Sequence, residues 1–185
     1  MNYYLNAEKD LSTIGRVSLI ELNNDNPAFP QISGDATDAL SLAFQKKQLF
    51  GLTVIRQDDP IWRSLQLDVN ENYTLEQLSA IRKSLKSDAV IIGKVITFNP
   101  YPQMTIGLRL KLIDLNSGQM LWAIEQVWDT TDKNVEERIK GYYEDKGITS
   151  IFTEGALQEK IGTISSLKFI KFVADETAGT LQKKK

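Results

Sequence analysis

The stretch from Asp88 to Trp128 constrains the fold of this chain more than any other. It begins with the apolar run Ala89-Val90-Ile91-Ile92-Gly93-Lys94-Val95-Ile96. That run is rich in β-branched residues and far shorter than the roughly 20 apolar residues of a membrane span, so it is expected to be a buried strand. Asn99-Pro100-Tyr101-Pro102 interrupts it. Met104, Ile106, Leu108, Leu110 and Leu112 then alternate with Thr105, Gly107, Arg109 and Lys111. A period of two places one side chain set on a core and the other in water. Asp114-Leu115-Asn116-Ser117-Gly118 has turn chemistry, with Gly118 free to take positive φ. Gln119 to Trp128 returns as a third strand. A strand followed by a β-hairpin at the centre of one sheet is the expectation.

The flanking segments complete an α/β pattern. Residues 1–13 read as a polar lead-in. Arg16 to Leu22 alternates and is expected to be the first strand. Asn23 to Gln31 carries Asn, Asp and two prolines and reads as a loop. Ser33 or Asp35 is positioned to cap a helix reaching about Leu49, whose inner face is Ala36, Ala39, Leu40, Ala43 and Phe44. Leu52 to Ile55 is a second strand, and the order strand–helix–strand implies a parallel, right-handed crossover. A short helical turn is expected around Trp62 and Leu65. Thr74 and Gln77 form a capping box, followed by a helix whose inner face is Leu75, Leu78, Ile81 (or Arg82) and Leu85. Beyond Trp128, Asp129 to Asp132 offers caps to a helix near 134–143. Leu157, Ile161 and Ile164 suggest a short helical piece, and Ser165 or Ser166 caps a last helix. The fold class expected is α/β: a single mixed sheet, order βαβαβββ, flanked by helices, with a C-terminal helical extension. Residues 1–132 form the α/β domain and 133–185 the extension packed on it.

Residue types that are missing narrow the chemistry. The 185 residues contain neither cysteine nor histidine. Disulfides, thiolate nucleophiles, Cys-based zinc sites and every His-dependent triad are therefore excluded. The net charge of −2 provides no global basic field for nucleic acid. Met1 to Leu5 has neither a basic nor an apolar leader region, so it does not read as a signal peptide.

The chemically interesting residues each have a plain structural reading beside the functional one. Glu21 with Asp25, and Asp58 with Asp59, lie at strand ends where α/β ligand crevices open, and their oxygens suit a hard cation such as Mg²⁺. Asp at a strand end is also ordinary turn chemistry, and Asp59-Pro60 is an ordinary loop start. One glycine, Gly34, before a helix is too few to cradle a phosphate. Gly93, Gly107 and Gly118 read as close backbone approaches or turns. Trp122 is expected in the core. Tyr101, Trp128 and Trp62 are the candidates for an exposed interaction surface. Asn72-Tyr73-Thr74 matches a glycosylation sequon, but Thr74 serves more simply as a helix cap.

Several segments resemble a known family. Arg16 to Ile20 is placed like its first strand. Asp35 to Phe50 followed by Leu52-Thr53-Val54-Ile55-Arg56 looks like its helix and second strand. Ser84 to Val95 is similar to its central strand, and Leu108 to Trp122 to its R-L-V-D-x-x-T-G-E-x-L-W hairpin. These segments resemble the curli-secretion lipoproteins and their relatives: the TolB amino-terminal domain, the Pel polysaccharide-export lipoprotein and the penicillin-binding-protein activator lipoproteins. The likeness covers roughly residues 14–132. It implies a non-catalytic envelope module, periplasmic or anchored at the outer membrane as a mature export product, that assists assembly, export or polymer synthesis. The implied partners are other envelope proteins or further copies of the chain in a ring. No nucleic acid and no cofactor are expected, and membrane contact is expected only through a lipid anchor that this chain does not carry. The competing reading is a cytoplasmic small-ligand-binding protein or carboxylate-based enzyme using Arg16 or Arg109.

Overall fold

The computed structural model of the chain describes residues 1–146 and 165–182. Its strands are β1 (Tyr3–Leu5), β2 (Arg16–Ile20), β3 (Asn23–Asn24), β4 (Gly51–Ile55), β5 (Ala89–Asn99), β6 (Thr105–Asp114) and β7 (Met120–Asp129). Its helices are α1 (Ile32–Lys47), α2 (Pro60–Leu65), α3 (Leu75–Leu85), α4 (Lys133–Glu144) and α5 (Ser166–Gly179). The expectations for residues 147–164 and for the tail after residue 182 fall outside the described residues.

One mixed sheet of seven strands holds these elements together, in the order β1-β7-β6-β5-β2-β4, with β3 extending the pairing along β5. β2 runs parallel to β4 and to β5. The hairpin β6–β7 and the pair β5–β6 are antiparallel. The α/β class and the single mixed sheet are therefore as expected. Gly118, with φ of +75°, turns the hairpin. Gly93 and Gly107 stand where a side chain has no room: a Cβ on Gly93 would lie 2.1 Å from Leu110 Cδ2, and one on Gly107 2.6 Å from Ile96 Cγ1.

Alternation divides the sheet into two faces. Val17 and Leu19 of β2, Ile91 and Val95 of β5, Ile106, Leu108, Leu110 and Leu112 of β6, and Trp122, Ile124 and Trp128 of β7 enter the larger core. α1, α4 and α5 complete it with Leu40, Phe44, Ile139, Phe169 and Phe172, among others. On the opposite face Ile20, Ile55, Val90, Ile92 and Ile113 meet Leu78, Ile81 and Leu85 of α3, with Ile61, Trp62 and Leu65 of α2 packed against them.

Local expectations hold or fail for identifiable reasons. The capping box at α3 is formed: Gln77 N–H donates to Thr74 Oγ1 and Thr74 N–H to Gln77 Oε1. Asp132 caps α4 and Ser165 caps α5. α1 is capped by neither Ser33 nor Asp35. It starts at Ile32, because Ile32 is buried in the core and its N–H donates to the Phe29 carbonyl of the preceding turn. Leu75 is not on the inner face of α3; it is 66% exposed, and the buried set is Leu78, Ile81 and Leu85. Residues 1–13 are not merely a lead-in. Tyr3–Leu5 pairs antiparallel with β7, and Asp10 caps a short 3-10 turn at Leu11–Thr13. Three residues carry no readable period, so this strand owes its conformation to the edge it covers.

Candidate interaction surface

The helices leave part of the second sheet face bare. α2 and α3 cover it over β2, β4, β5 and the far end of β6, but among the described residues no helix lies above the outward side chains of the rest of β6, β7 and β1. From Trp122 onward, odd positions of β7 supply Ala123, Glu125 and Val127 to that face and even positions supply Trp122, Ile124 and Trp128 to the core, while a register shift opposite Leu112–Ile113 pairs Met120 with Ile113 and turns it outward. Val127 is 42% and Met120 44% exposed, and Tyr4 of β1, at 46%, stands beside Ala123 in the ladder.

The loop from Leu67 to Tyr73 bounds this face, and two cations of β6 hold it there. Arg109 is the cross-strand partner of Glu125. Its Nε and Nη2 donate to the two carboxylate oxygens at 2.8 and 2.9 Å, and Nη1 donates to Asn70 Oδ1 at 2.6 Å. That bonding raises the Arg109 pKa and lowers that of Glu125. Lys111 Nζ donates to the Glu71 carbonyl at 2.5 Å and lies 5.8 Å from the centre of the Tyr73 ring. Burial lowers its pKa, with Asp68 and Glu71 opposing. The Tyr73 hydroxyl in turn accepts from Asp68 N–H and donates to the Asp68 carbonyl. Between the loop and β1 lies a groove of about 340 Å³ whose lining includes Tyr4, Val69, Arg109, Met120 and Glu125. Its floor is a neutralised ion pair flanked by apolar side chains, a surface suited to contact with another macromolecule rather than to proton or group transfer.

The three aromatic candidates do not share a surface. Trp128 is fully buried, which corrects the expectation of an exposed patch: it lies on the core face beneath α5 and its Nε1 donates to Glu176 Oε2 at 2.7 Å. Trp62 is half-buried on the opposite face, with Nε1 donating to the Glu21 carbonyl at 3.2 Å. Tyr101 is 80% exposed in the β5–β6 turn. Trp122 is in the core, as expected, with Nε1 donating to Thr180 Oγ1. The residues missed are Tyr4, Met120 and Val127. The alternation of β7 already separates Val127 from Trp128, since neighbouring strand residues point to opposite faces.

Three of the four carboxylates considered as cation ligands, all but Asp58, have other partners. Glu21 Oε2 accepts from Gln57 N–H, Asp25 pairs with Lys94, and Asp59 caps α2 through Ile61 N–H. Among the described residues no group of three or more Asp and Glu is placed to hold a metal ion. None of the described helices is long and apolar enough to cross a membrane.

No protein-family model matches this sequence, and no curated protein matches it. Solved structures do. The PelC dodecamer from Paraburkholderia phytofirmans superposes with a TM-score of 0.54 at 10% identity, over 100% of this chain and 97% of that one. The hypothetical protein CT253 from Chlamydia trachomatis gives a TM-score of 0.50 at 11% identity, over 92% and 99%. Lipoprotein GNA1162 from Neisseria meningitidis gives 0.48 at 9% identity, over 72% and 98%. At such identities the likeness is one of fold. The chain shares the fold of the PelC protomer, and PelC is one of the relatives that the sequence segments resemble.

Proposed function

We propose that this chain is a non-catalytic protein-interaction module of the cell envelope, assisting assembly, export or polymer synthesis by docking other envelope proteins or further copies of itself. The observation that carries this reading is the bare sheet face over β6, β7 and β1, where Tyr4, Met120 and Val127 surround a satisfied Arg109–Glu125 pair. Exposed apolar side chains grouped on one face mark a contact surface more readily than a reaction site. The fold likeness to PelC, whose solved structure is a dodecamer, supports self-association as one mode of use. On this reading residues 1–132 form the docking domain, α4 and α5 of the C-terminal extension brace it from the other side, and Tyr101 supplies a second contact at the strand ends. The curli-secretion and TolB-type likenesses of the sequence are consistent with the same use.

Site-specific photocrosslinking in the native host tests it. A photoreactive residue at Val127 or Met120 is expected to give a discrete protein adduct in the envelope fraction, while the same residue at Glu137 on α4 is not. Absence of any adduct at the sheet face, or recovery of the chain solely from the cytoplasm, overturns the reading.

A further inference from the structure

The end of the molecule where β2, β4 and β5 begin collects cations from three elements. α3 delivers Arg82, Lys83 and Lys86 at its C-terminus, β2 delivers Arg16, and α1 delivers Lys47. The elements meet there: Arg16 is the ladder partner of Gly51, and Asp88 N–H donates to the Arg16 carbonyl. Among the described residues none of these five side chains has a hydrogen-bond or ion-pair partner. All are exposed except Lys47, which is half-buried. Lys9, Lys46, Lys94 and Arg109, by contrast, each hold a carboxylate; what sets the five apart is that three elements bring them to one end of the sheet.

The acids nearby offset the patch only in part. Asp88 accepts the backbone N–H of Arg16 at 2.9 Å and keeps its single negative charge against five cations, and Asp114 is paired with Lys9 at 3.0 Å. Compensation of helix dipoles explains a basic residue in the last turn of α3 or α1, but not Arg16, which lies on a strand. An open pocket of about 320 Å³ lies among Ser79, Arg82, Lys83, Lys86, Ser87 and Asp88.

We infer that this end is a docking surface for phosphate groups, and that its occupant is the anionic phospholipid headgroup plane of a membrane. A shallow patch drawing cations from three elements matches a plane of charge better than one small anion, because each added Lys or Arg near an anionic leaflet contributes separately. None of the five cations alternates with an aromatic side chain, so stacked bases have no platform. The inference goes beyond the protein-docking reading and uses the end of the sheet rather than its bare face.

The test is vesicle co-sedimentation of the full chain at low ionic strength. Binding is expected to phosphatidylcholine vesicles containing phosphatidylglycerol, not to phosphatidylcholine alone, and to fall as salt rises. Arg82→Gln/Lys83→Gln/Lys86→Gln is expected to weaken it at least about tenfold. A control with the same charge change, Lys133→Gln/Lys168→Gln/Lys171→Gln on α4 and α5, is expected to bind as the parent chain does. Near-ultraviolet circular dichroism of each variant verifies that the fold persists. Equal loss in both triple variants, or no phosphatidylglycerol-dependent binding by the parent chain, overturns the inference. So does variant-sensitive binding to duplex DNA without binding to vesicles.

Discussion

Arg109 on β6 and Glu125 on β7 stand directly opposite one another in the hairpin, and the guanidinium grips both carboxylate oxygens at 2.8 and 2.9 Å. The geometry is that of a strong bidentate pair, yet the side chains remain 37% and 52% exposed. Water and salt screen such a pair, so its coupling energy is expected to stay below about 1 kcal/mol. A double-mutant cycle of Arg109→Ala and Glu125→Ala in urea measures it. A coupling several times larger would mean that the Leu67–Tyr73 loop, held by Arg109 through Asn70, shields the pair from solvent.

Leu110 occupies the other face of the same strand. It is buried in the larger core, so Leu110→Ala removes apolar contacts and leaves a cavity, and the expected loss is about 2–5 kcal/mol. Val127→Ala, on the bare face, is expected to change stability by less than about 0.5 kcal/mol. Denaturant titration of the two variants measures the asymmetry between the faces directly. Equal losses would place the alternation of the hairpin the wrong way round.

The hairpin was the part of the fold most legible in the sequence, because a period of two sustained through β6 leaves one solution. The capping box at Thr74 and the inner face of α1 were legible for the same local reason. The Tyr3–Leu5 strand was not, since it depends on a partner more than a hundred residues away. The candidate surface was legible only in part. Trp128 drew attention as a large aromatic near a strand end, but its even spacing from Trp122 and Ile124 assigns it to the core, and its N–H reaches Glu176 on a helix nearly fifty residues downstream. The exposure of Tyr4, Met120 and Val127 depends on where α2 and α3 stop covering the sheet, which no local pattern records.

Trp128→Phe tests the part-buried polar contact. The substitution keeps most of the ring but removes the donor to Glu176, which also faces Arg138 at 3.0 Å. Losing one partner of a part-buried charged acceptor is expected to cost about 1–3 kcal/mol. Thermal or denaturant unfolding measures it, and Trp62→Phe, whose donor meets a neutral backbone carbonyl rather than a carboxylate, is expected to cost less.

Two glycines with opposite surroundings give a paired prediction. A Cβ on Gly93 would meet Leu110 Cδ2 at 2.1 Å and the Arg109 carbonyl at 2.9 Å, the latter being backbone that cannot swing aside. Gly93→Ala is therefore expected to destabilise by about 1–3 kcal/mol or more. Gly141, inside α4, has no described neighbour within 4 Å of the same position beyond its own helix backbone. Gly141→Ala is expected to stabilise by roughly 0.5–1 kcal/mol through helix propensity. Shifts of the same sign in the two melting temperatures would contradict the packing described for β5.

Asp175 on α5 is expected to contribute to acid sensitivity. Burial alone would raise its pKa, but hydrogen bonds from Tyr142 and Lys146, with the charges of Lys146 and Lys46, outweigh burial and hold it below the ordinary carboxylate value. A carboxylate whose folded pKa is depressed contributes stability that is complete above its unfolded pKa, near 3.9, and is lost as pH falls through the lower folded value. The parent chain is thus expected to lose this contribution progressively below about pH 4. Asp175→Asn lacks the titrating group, so it is expected to be less stable at neutral pH but to show a shallower decline on acidification. Urea midpoints measured at neutral pH and across the acid range distinguish the two chains. Parallel curves would mean that the junction of Tyr142, Lys146 and Asp175 is not what ties α4 to α5.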